Sequence, residues 1–288
     1  MSRTDVRRGR GLFVFAVVGE RHVAALSTPL KFLKHFSRAE IVVLQARSSE
    51  RAPHDQIIDV ALPDELDDHQ SSVLLKTKLL EYIGGLGQPI CYLDSDVIAV
   101  QHDVDTVFDQ LDAPIRFARD HVDLDTFSRW AVRCGCRESR CPHLREEILR
   151  SLNVNIIEGD WTHWNGGVFL FDERSREFFD TWHRMTLKIL GDPHWKTRDQ
   201  GTLAAAAWAL GLEELEPLHQ RYNFIVDPMQ GIPIGRRNSA TVRDFHLRND
   251  YSLRTEQGFH RPRFIHFING GVGQTGWRHW DEVQALLD

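Results

Sequence analysis

The stretch Ile90-Cys91-Tyr92-Leu93-Asp94-Ser95-Asp96-Val97-Ile98-Ala99-Val100 decides how the rest of the chain is read. An apolar run enters, two carboxylates follow one residue apart, and an apolar run leaves. A short, wholly apolar run of this kind reads as a buried strand of a parallel sheet. Side chains alternate along extended backbone, so Asp94 and Asp96 point to one side and Ser95 to the other. Neighbouring carboxylates repel each other at neutral pH and are costly to bury unpaired. A divalent cation resolves that conflict. Oxygen ligands suit Mg2+ or Mn2+, above all where a diphosphate completes the coordination. A strand running out into a turn, where Asp and Ser are common, gives the same residues without a metal.

Upstream, Leu12-Phe13-Val14-Phe15-Ala16-Val17-Val18 reads as a first buried strand and Gly19-Glu20-Arg21-His22 as a loop. Leu26, Leu30, Leu33 and Phe36 recur at helical spacing, with Pro29 tolerated near the helix start. Residues 41–44 and 56–62 are expected as strands. Leu74, Leu75, Leu79 and Ile83 line one helix that carries Lys76 and Lys78. Downstream, the pattern predicts a short helix over 104–111 and a strand over 115–118. After a Cys-rich segment comes a strand over 164–171. Asp172 then caps a helix in which Phe178, Trp182, Met185 and Ile189 share a face. An Ala-rich helix is expected over 202–210, since Ala is the strongest helix former. Residues 230–258, rich in Gly, Arg, Asn and Asp, are expected as a long loop. A late strand over 264–268, a Gly-rich loop over 269–276 ending at Trp277, and a short helix over 280–287 close the chain. Strands alternating with helices argue for an α/β fold with a mainly parallel sheet. In such sheets ligands bind at the carboxyl ends of the strands, where Asp94 and Asp96 lie.

The 288 residues carry a formal net charge of −6, which gives no support for a nucleic-acid partner. Arg7, Arg8 and Arg10 read as a solvated terminus. Leu12 to Val18 is far too short to span a bilayer and lacks a signal-peptide cleavage pattern, so a cytoplasmic protein with no membrane span is expected. Four cysteines in this length do not suggest a disulfide framework.

At this point the residues resemble a family. Tyr92-Leu93-Asp94-Ser95-Asp96 resembles the Asp-x-Asp motif of nucleotide-sugar glycosyltransferases with the GT-A fold. Trp164-Asn165-Gly166-Gly167-Val168-Phe169-Leu170-Phe171 resembles the Asn-x-Gly-Val strand of the family-eight retaining enzymes, the glycogenin and galactosyltransferase group. Asp199-Gln200 resembles their Asp-Gln pair. His266, with the Gly-rich loop and Trp277 after it, resembles their His-x-x-Gly-x-x-Lys-Pro-Trp segment.

The resemblance implies one Rossmann-like GT-A domain over 1–288, with a nucleotide-binding half (1–100) and a donor-sugar and acceptor half (101–288). It implies metal-dependent transfer of a sugar, with retention, from a nucleoside-diphosphate sugar to an unknown acceptor: a glycan, a protein or a small molecule. Asp94, Asp96 and His266 would hold Mn2+ or Mg2+. Ala16, Val17, Arg21, Lys76, Asp94, Ser95, Gly166, Gly167 and Gly271 would bind the donor, and Asn165, Asp199 and Gln200 would position its sugar.

Each of these residues also has a plainer reading. The glycines permit close approach of a ligand or of other backbone, or mark a bulge at a strand start. Asn165 can donate to and accept from a sugar hydroxyl. Asp199 can cap the Ala-rich helix while its second oxygen reaches a sugar. His266 in an apolar strand can be a core residue bonded to backbone. One departure stands out: the loop Gly270-Gly271-Val272-Gly273-Gln274-Thr275-Gly276-Trp277 lacks the family's Lys. Charge on the leaving group must then be met by the metal, by backbone N–H groups of this loop, or by Arg278 or Lys76.

Within an insertion at 131–143, Cys134, Cys136, Cys141 and His143 could supply a structural Cys3His zinc site, or form a mobile loop of free thiols. Two rival functions share the central motif. A haloacid-dehalogenase-type phosphatase would use Asp94 as nucleophile, although that motif usually lies on the first strand of its fold. A catalytically inactive nucleotide-sugar or carbohydrate-binding module would keep the fold without turnover.

Overall fold

The computed structural model describes residues 10–84, 87–226, 246–247, 253–255, 258–268, 272 and 280–288. In chain order the strands of its first half are β1 (Leu12–Val18), β2 (Glu40–Ala46), β3 (Ile57–Asp59), β4 (Ile90–Leu93), β5 (Val97–Ala99), β6 (Ile115–Arg119) and β7 (Trp164–Phe171). Six of these form the main sheet, ordered β3-β2-β1-β4-β7-β6. β1 runs parallel to β2 and β4, and β2 parallel to β3. β7 runs against both β4 and β6, so the sheet is mixed and mainly parallel, as expected.

Alternation along β1 explains how the sheet is covered. Leu12, Val14 and Val18 face one apolar core, while Phe13, Phe15 and Val17 face another. The helices are α1 (Glu20–Ala25), α2 (Ser27–Phe36), α3 (Asp68–Thr77), α4 (Leu79–Ile83), α5 (Leu124–Ala131), α6 (His143–Leu152), α7 (Arg176–Ile189), α8 (Arg198–Ala209) and α9 (Trp280–Gln284). Residues of α3, α5, α6, α7 and α8 fill the first core, and residues of α2 fill the second. A second sheet, built from β5, β8 (Phe224–Val226) and β12 (Phe264–Phe267), packs with α2.

Several expectations need correction. Residues 20–22 are the start of α1 and not a loop, because Gly19 turns the chain at φ +81° and the helix begins at once. The single helix expected over 74–83 starts earlier, at a capping box in which Asp67 and Gln70 bond reciprocally, and it breaks at Lys78 into α3 and α4. The third strand is only three residues long. The Ala-rich helix begins at Arg198, with Thr197 before it, so Asp199 lies in the first turn and is not the N-cap. Within the expected long loop, β9 (His246–Leu247), β10 (Leu253–Thr255) and β11 (Gly258–His260) pair antiparallel. Strands this short carry no periodicity for sequence reasoning to detect. Gly271, the rest of the Gly-rich loop apart from Val272, Trp277 and Arg278 lie outside the described residues.

The direction of β7 positions the site. Because it opposes β4, its N-terminal end lies beside the carboxyl end of β4, with Leu93 opposite Val168. The Asp94 N–H then donates to the Gly167 carbonyl at 2.8 Å. β12 completes the site from the second sheet: His266 lies opposite Val97, and the Phe267 N–H donates to the Asp96 carbonyl at 2.9 Å.

Candidate active site

Asp94 and Asp96 follow the buried strand β4, where the backbone turns so that the Val97 N–H donates to the Asp94 carbonyl at 3.1 Å. One oxygen each of Asp94 and Asp96 and one nitrogen of His266 all lie within 4.8 Å of one another. The His266 Nε2 is 3.3 Å from Asp96 Oδ1, and that buried oxygen has no hydrogen-bond partner. Buried polar atoms are normally paired, so an unpaired carboxylate oxygen aimed at a second carboxylate and an imidazole suits a cation.

The ring of His266 is oriented by a relay of side chains. Its Nδ1 lies 3.0 Å from Asn223 Oδ1. Asn223 Nδ2 donates to Asn165 Oδ1 at 2.9 Å, and Asn165 Nδ2 donates to Asp120 Oδ2 at 2.7 Å. Asp120 can only accept, which fixes the direction of every bond: His266 Nδ1–H is the donor, which leaves Nε2 directed at Asp96. Burial pushes the His266 imidazolium down, but Asp96 and Asp94 outweigh it and hold the group above its ordinary value.

Glycine at 167 is a requirement of this geometry. A Cβ there would sit 2.1 Å from the His266 ring. At 166 a Cβ would meet Gln200 Oε1 at 3.1 Å and Lys76 Nζ at 3.4 Å. The close approach read from the sequence is thus made to the side chains of His266, Gln200 and Lys76. The pairing of β6 with β7 slips here, from Phe117 opposite Phe169 to Ala118 opposite Asn165. That bulge turns the glycines toward the site.

Lys76, on α3, is buried among carboxylates. Its Nζ donates to Asp94 Oδ1 at 3.0 Å and Oδ2 at 3.2 Å, and lies 3.5 Å from Asp199 Oδ2. Tyr92 donates its hydroxyl to Asp94 Oδ1 at 2.5 Å, with the ammonium 5.0 Å from its ring centre. Burial pushes the Lys76 ammonium down, but Asp94, Asp199 and Asp96 together hold its pKa above the ordinary lysine value. The lysine is therefore charged, and it crosslinks Asp94 to Asp199.

Gln200 faces inward. It accepts from the Gly166 N–H at 3.0 Å and donates to Asp120 Oδ2 at 3.1 Å. Asn165 is buried, with its oxygen accepting from both the Gly167 N–H and Asn223. Asp199 instead borders open space. A cleft above β1 and β4 is lined by Ala16, Val17, Lys76, Asp94, Ser95, Asp96 and Asp199. His22, His69 and Ser72 also line it, whereas Arg21 does not. Each residue advances a helix by about 100°, so on α1 it is His22 and not Arg21 that reaches the cleft.

No protein-family model and no curated protein matches the chain in sequence. Solved structures match its shape. The chain superposes on the apo bifunctional glycosyltransferase WbbM with a TM-score of 0.59 and 12% identity, over 99% of this chain and 51% of that one. It matches the galactosyltransferase LgtC, solved with donor and acceptor sugar analogs, with a TM-score of 0.55 and 15% identity, over 96% of this chain and 95% of that one. Mouse xyloside xylosyltransferase 1, in its apo form, gives 0.51 and 14%, over 89% of this chain and 97% of that one.

The fold is that of the GT-A glycosyltransferases. The chain spans about half the length of the bifunctional enzyme and nearly all of the other two. In this GT-A domain the cleft lies at the carboxyl ends of β1 and β4, beside the antiparallel β7. Two residues of the constellation escaped the sequence reading. Asp120 follows β6 as Asp94 follows β4, and a carboxylate just after an apolar strand was the available signal. Asn223 precedes a three-residue strand and gave none.

Proposed function

We propose that this chain transfers a sugar from a nucleoside-diphosphate sugar to an acceptor, with help from a divalent cation and with retention of configuration. The observation that carries the reading is the clustering of Asp94, Asp96 and His266 beside a cleft that the two carboxylates line, with the buried, unpaired Asp96 oxygen among them. These three residues would hold Mn2+ or Mg2+. When bound, the ion would supply Lewis-acid stabilisation of charge on the departing diphosphate.

The chain's own residues divide the remaining work. Ala16 and Val17, at the end of β1, wall the nucleotide side of the cleft, with Ser95 beside them. Lys76 holds Asp94 and Asp199 in register and puts a buried positive charge in the lining of the cleft, where it would favour a departing diphosphate in place of the lysine missing from the closing loop. Asp199, the carboxylate bordering the cleft, accepts from hydroxyls of the donor sugar. Asn165 and Gln200 are positioning residues: one fixes the His266 ring through Asn223, the other fixes Gly166. Gln200 is bonded to protein at both ends of its amide and Asp199 is paired with Lys76, so neither is assigned here as a covalent nucleophile. Retention then follows a front-face route in which the leaving phosphate accepts the acceptor's proton. The two halves of the domain serve donor nucleotide (1–100) and sugar with acceptor (101–288).

The test is a panel of UDP-, GDP- and dTDP-sugars with and without Mn2+ or Mg2+, read by donor hydrolysis and by nucleotide affinity. Metal-dependent binding with turnover is expected. Equally tight binding without metal would overturn the assignment of Asp94, Asp96 and His266. Binding without turnover of any donor would leave a sugar-nucleotide binding module. Hydrolysis of simple phosphate esters would point to a phosphatase.

A further inference from the structure

The Cys-rich insertion takes no part in the reading above. It links α5 to α6, and it brings together four groups separated by only a few residues. The sulfurs of Cys134, Cys136 and Cys141 and a ring nitrogen of His143 all lie within 4.8 Å of one another. Cys134 Sγ is 3.9 Å from Cys141 Sγ, and Cys136 Sγ is 3.3 Å from His143 Nδ1. Zn–S bonds of about 2.3 Å and Zn–N bonds of about 2.0–2.1 Å imply tetrahedral edges of roughly 3.8 Å between sulfurs and roughly 3.6 Å from sulfur to nitrogen. The observed separations bracket those edges. A disulfide requires sulfurs about 2.05 Å apart, and all the cysteines here are free thiols.

The surroundings suit a bound cation with three thiolates, a group of net charge −1. His143 is the first residue of the ten-residue helix α6, whose N-terminal end is the positive end of its dipole. Buried Ser128 accepts from the Leu144 N–H at 2.9 Å and lies 3.3 Å from Cys141 Sγ. Its own hydroxyl hydrogen is thus available to a Cys141 thiolate, the outer-shell bond that orients a metal ligand. The Cys141 N–H is bound to the Asp125 carbonyl at 3.0 Å, which ties the third cysteine to α5.

We propose that Cys134, Cys136, Cys141 and His143 form a structural zinc site that clamps the α5–α6 connection. Binding displaces the three thiol protons, and the Nδ1 lone pair of neutral His143 fills the fourth position. The clamp reaches the segment that leads into α8. The Arg133 N–H donates to the His194 carbonyl at 2.8 Å, and the Lys196 N–H donates to the Ala131 carbonyl at 2.7 Å. Trp195 then packs against Gly201, where a Cβ would meet its ring at 2.4 Å. The zinc lobe therefore braces the first turn of α8, which carries Asp199 and Gln200.

The test does not depend on any transfer reaction. Purified full-length protein, dialysed free of loose metal, is assayed for zinc as wild type, Cys136→Ser and Asp96→Ala. About one zinc per chain is expected in wild type and in Asp96→Ala, and much less in Cys136→Ser. In wild type, Cys134, Cys136 and Cys141 should resist a maleimide until a strong chelator is added. Replacing zinc with Co2+ should give thiolate-to-cobalt charge-transfer absorption and the visible bands of tetrahedral cobalt. This last measurement needs no variant to fold. Zinc absent from wild type, thiols freely labelled, a Cys134–Cys141 disulfide, or zinc lost in Asp96→Ala but kept in Cys136→Ser would each overturn the proposal.

Discussion

The carboxylate site and the cysteine cluster are both sets of groups that could hold a metal ion, yet they are built in opposite ways. Asp94 and Asp96 lie half-buried in the turn between β4 and β5, and buried His266 comes from β12, far away in the chain. Protein groups already hold two of the three: Lys76 and Tyr92 bond to Asp94, and the relay from Asp120 to Asn223 orients His266. Cys134, Cys136, Cys141 and His143 are sequence neighbours on a connection without regular structure until His143. The first site is held together by the fold, with or without an ion. The second has little besides an ion to hold it together.

The sharpest break in this comparison is Asp96→Ala. It removes one ligand and relieves carboxylate repulsion, so the fold should persist while turnover falls by about two to three orders of magnitude, the scale of losing one transition-state electrostatic contact. Metal dependence of nucleotide binding should vanish in calorimetry, with the melting temperature held or raised. A melting temperature lowered as far as by stripping zinc from the cysteine lobe would erase the distinction.

Asp199→Asn separates charge from shape. Because Asp199 caps nothing and Lys76 keeps both of its bonds to Asp94, Asn should cost little stability. Turnover should drop by roughly two orders of magnitude, as losses of positioning do. Full activity would remove the sugar-binding role. A matched loss of stability and nucleotide affinity would show instead that the bridge from Lys76 to Asp199 is structural.

Gly167→Ala tests whether the fold fixes the first site. The added Cβ collides with the His266 ring, so it should cost about 1–3 kcal/mol, the range for overpacking, and weaken metal-dependent nucleotide binding at least tenfold. Unchanged affinity for metal and nucleotide would mean that His266 is not held there. The cysteine lobe, with no counterpart contact at Gly135, should tolerate Gly135→Ala without loss of zinc.

The smallest effect concerns Asp120. Burial pushes its carboxyl pKa up, but His121, His163 and the bonds from His121 and Asn165 outweigh it and hold the group well below the usual carboxylate range. The folded pKa thus lies below the unfolded value of about 3.9. The stability it contributes is complete above that value and is lost as pH falls below it toward the folded pKa. Asp120→Asn should flatten the acid limb of unfolding free energy below about pH 4 and leave the slope near neutrality unchanged. An unaltered acid limb would mean that the carboxylate is not charged in the folded protein.

How much of this was legible in the sequence follows from where each signal resides. β1, β4 and β7 announce themselves as apolar runs, and Asp94 and Asp96 as carboxylates at a strand end. His266 was reached through family resemblance alone, since a histidine in a short apolar strand carries no sign of its partner. Asp199 carries a cap reading beside its sugar-positioning one because the sequence pattern starts the helix at its alanines. The helix starts at Arg198, and Trp195 packs on Gly201 in its first turn, a contact no local propensity encodes. Asp120 and Asn223 were missed because a hydrogen-bond relay between loop ends leaves no period in the sequence.

The separation of Asp96 from His266 along the chain has a consequence for the order of assembly. Closing a long loop takes more conformational entropy than closing a short one, and contacts between distant residues form late. The cysteine cluster closes a loop of ten residues between positions 134 and 143 and can knit while most of the chain is still unfolded. The carboxylate site exists only after β12 has docked beside β5. If the proposed site takes a nucleotide with its cation, that capture would be a signal that the whole chain has reached its native topology, and a nascent or truncated chain lacking β12 would remain silent to it.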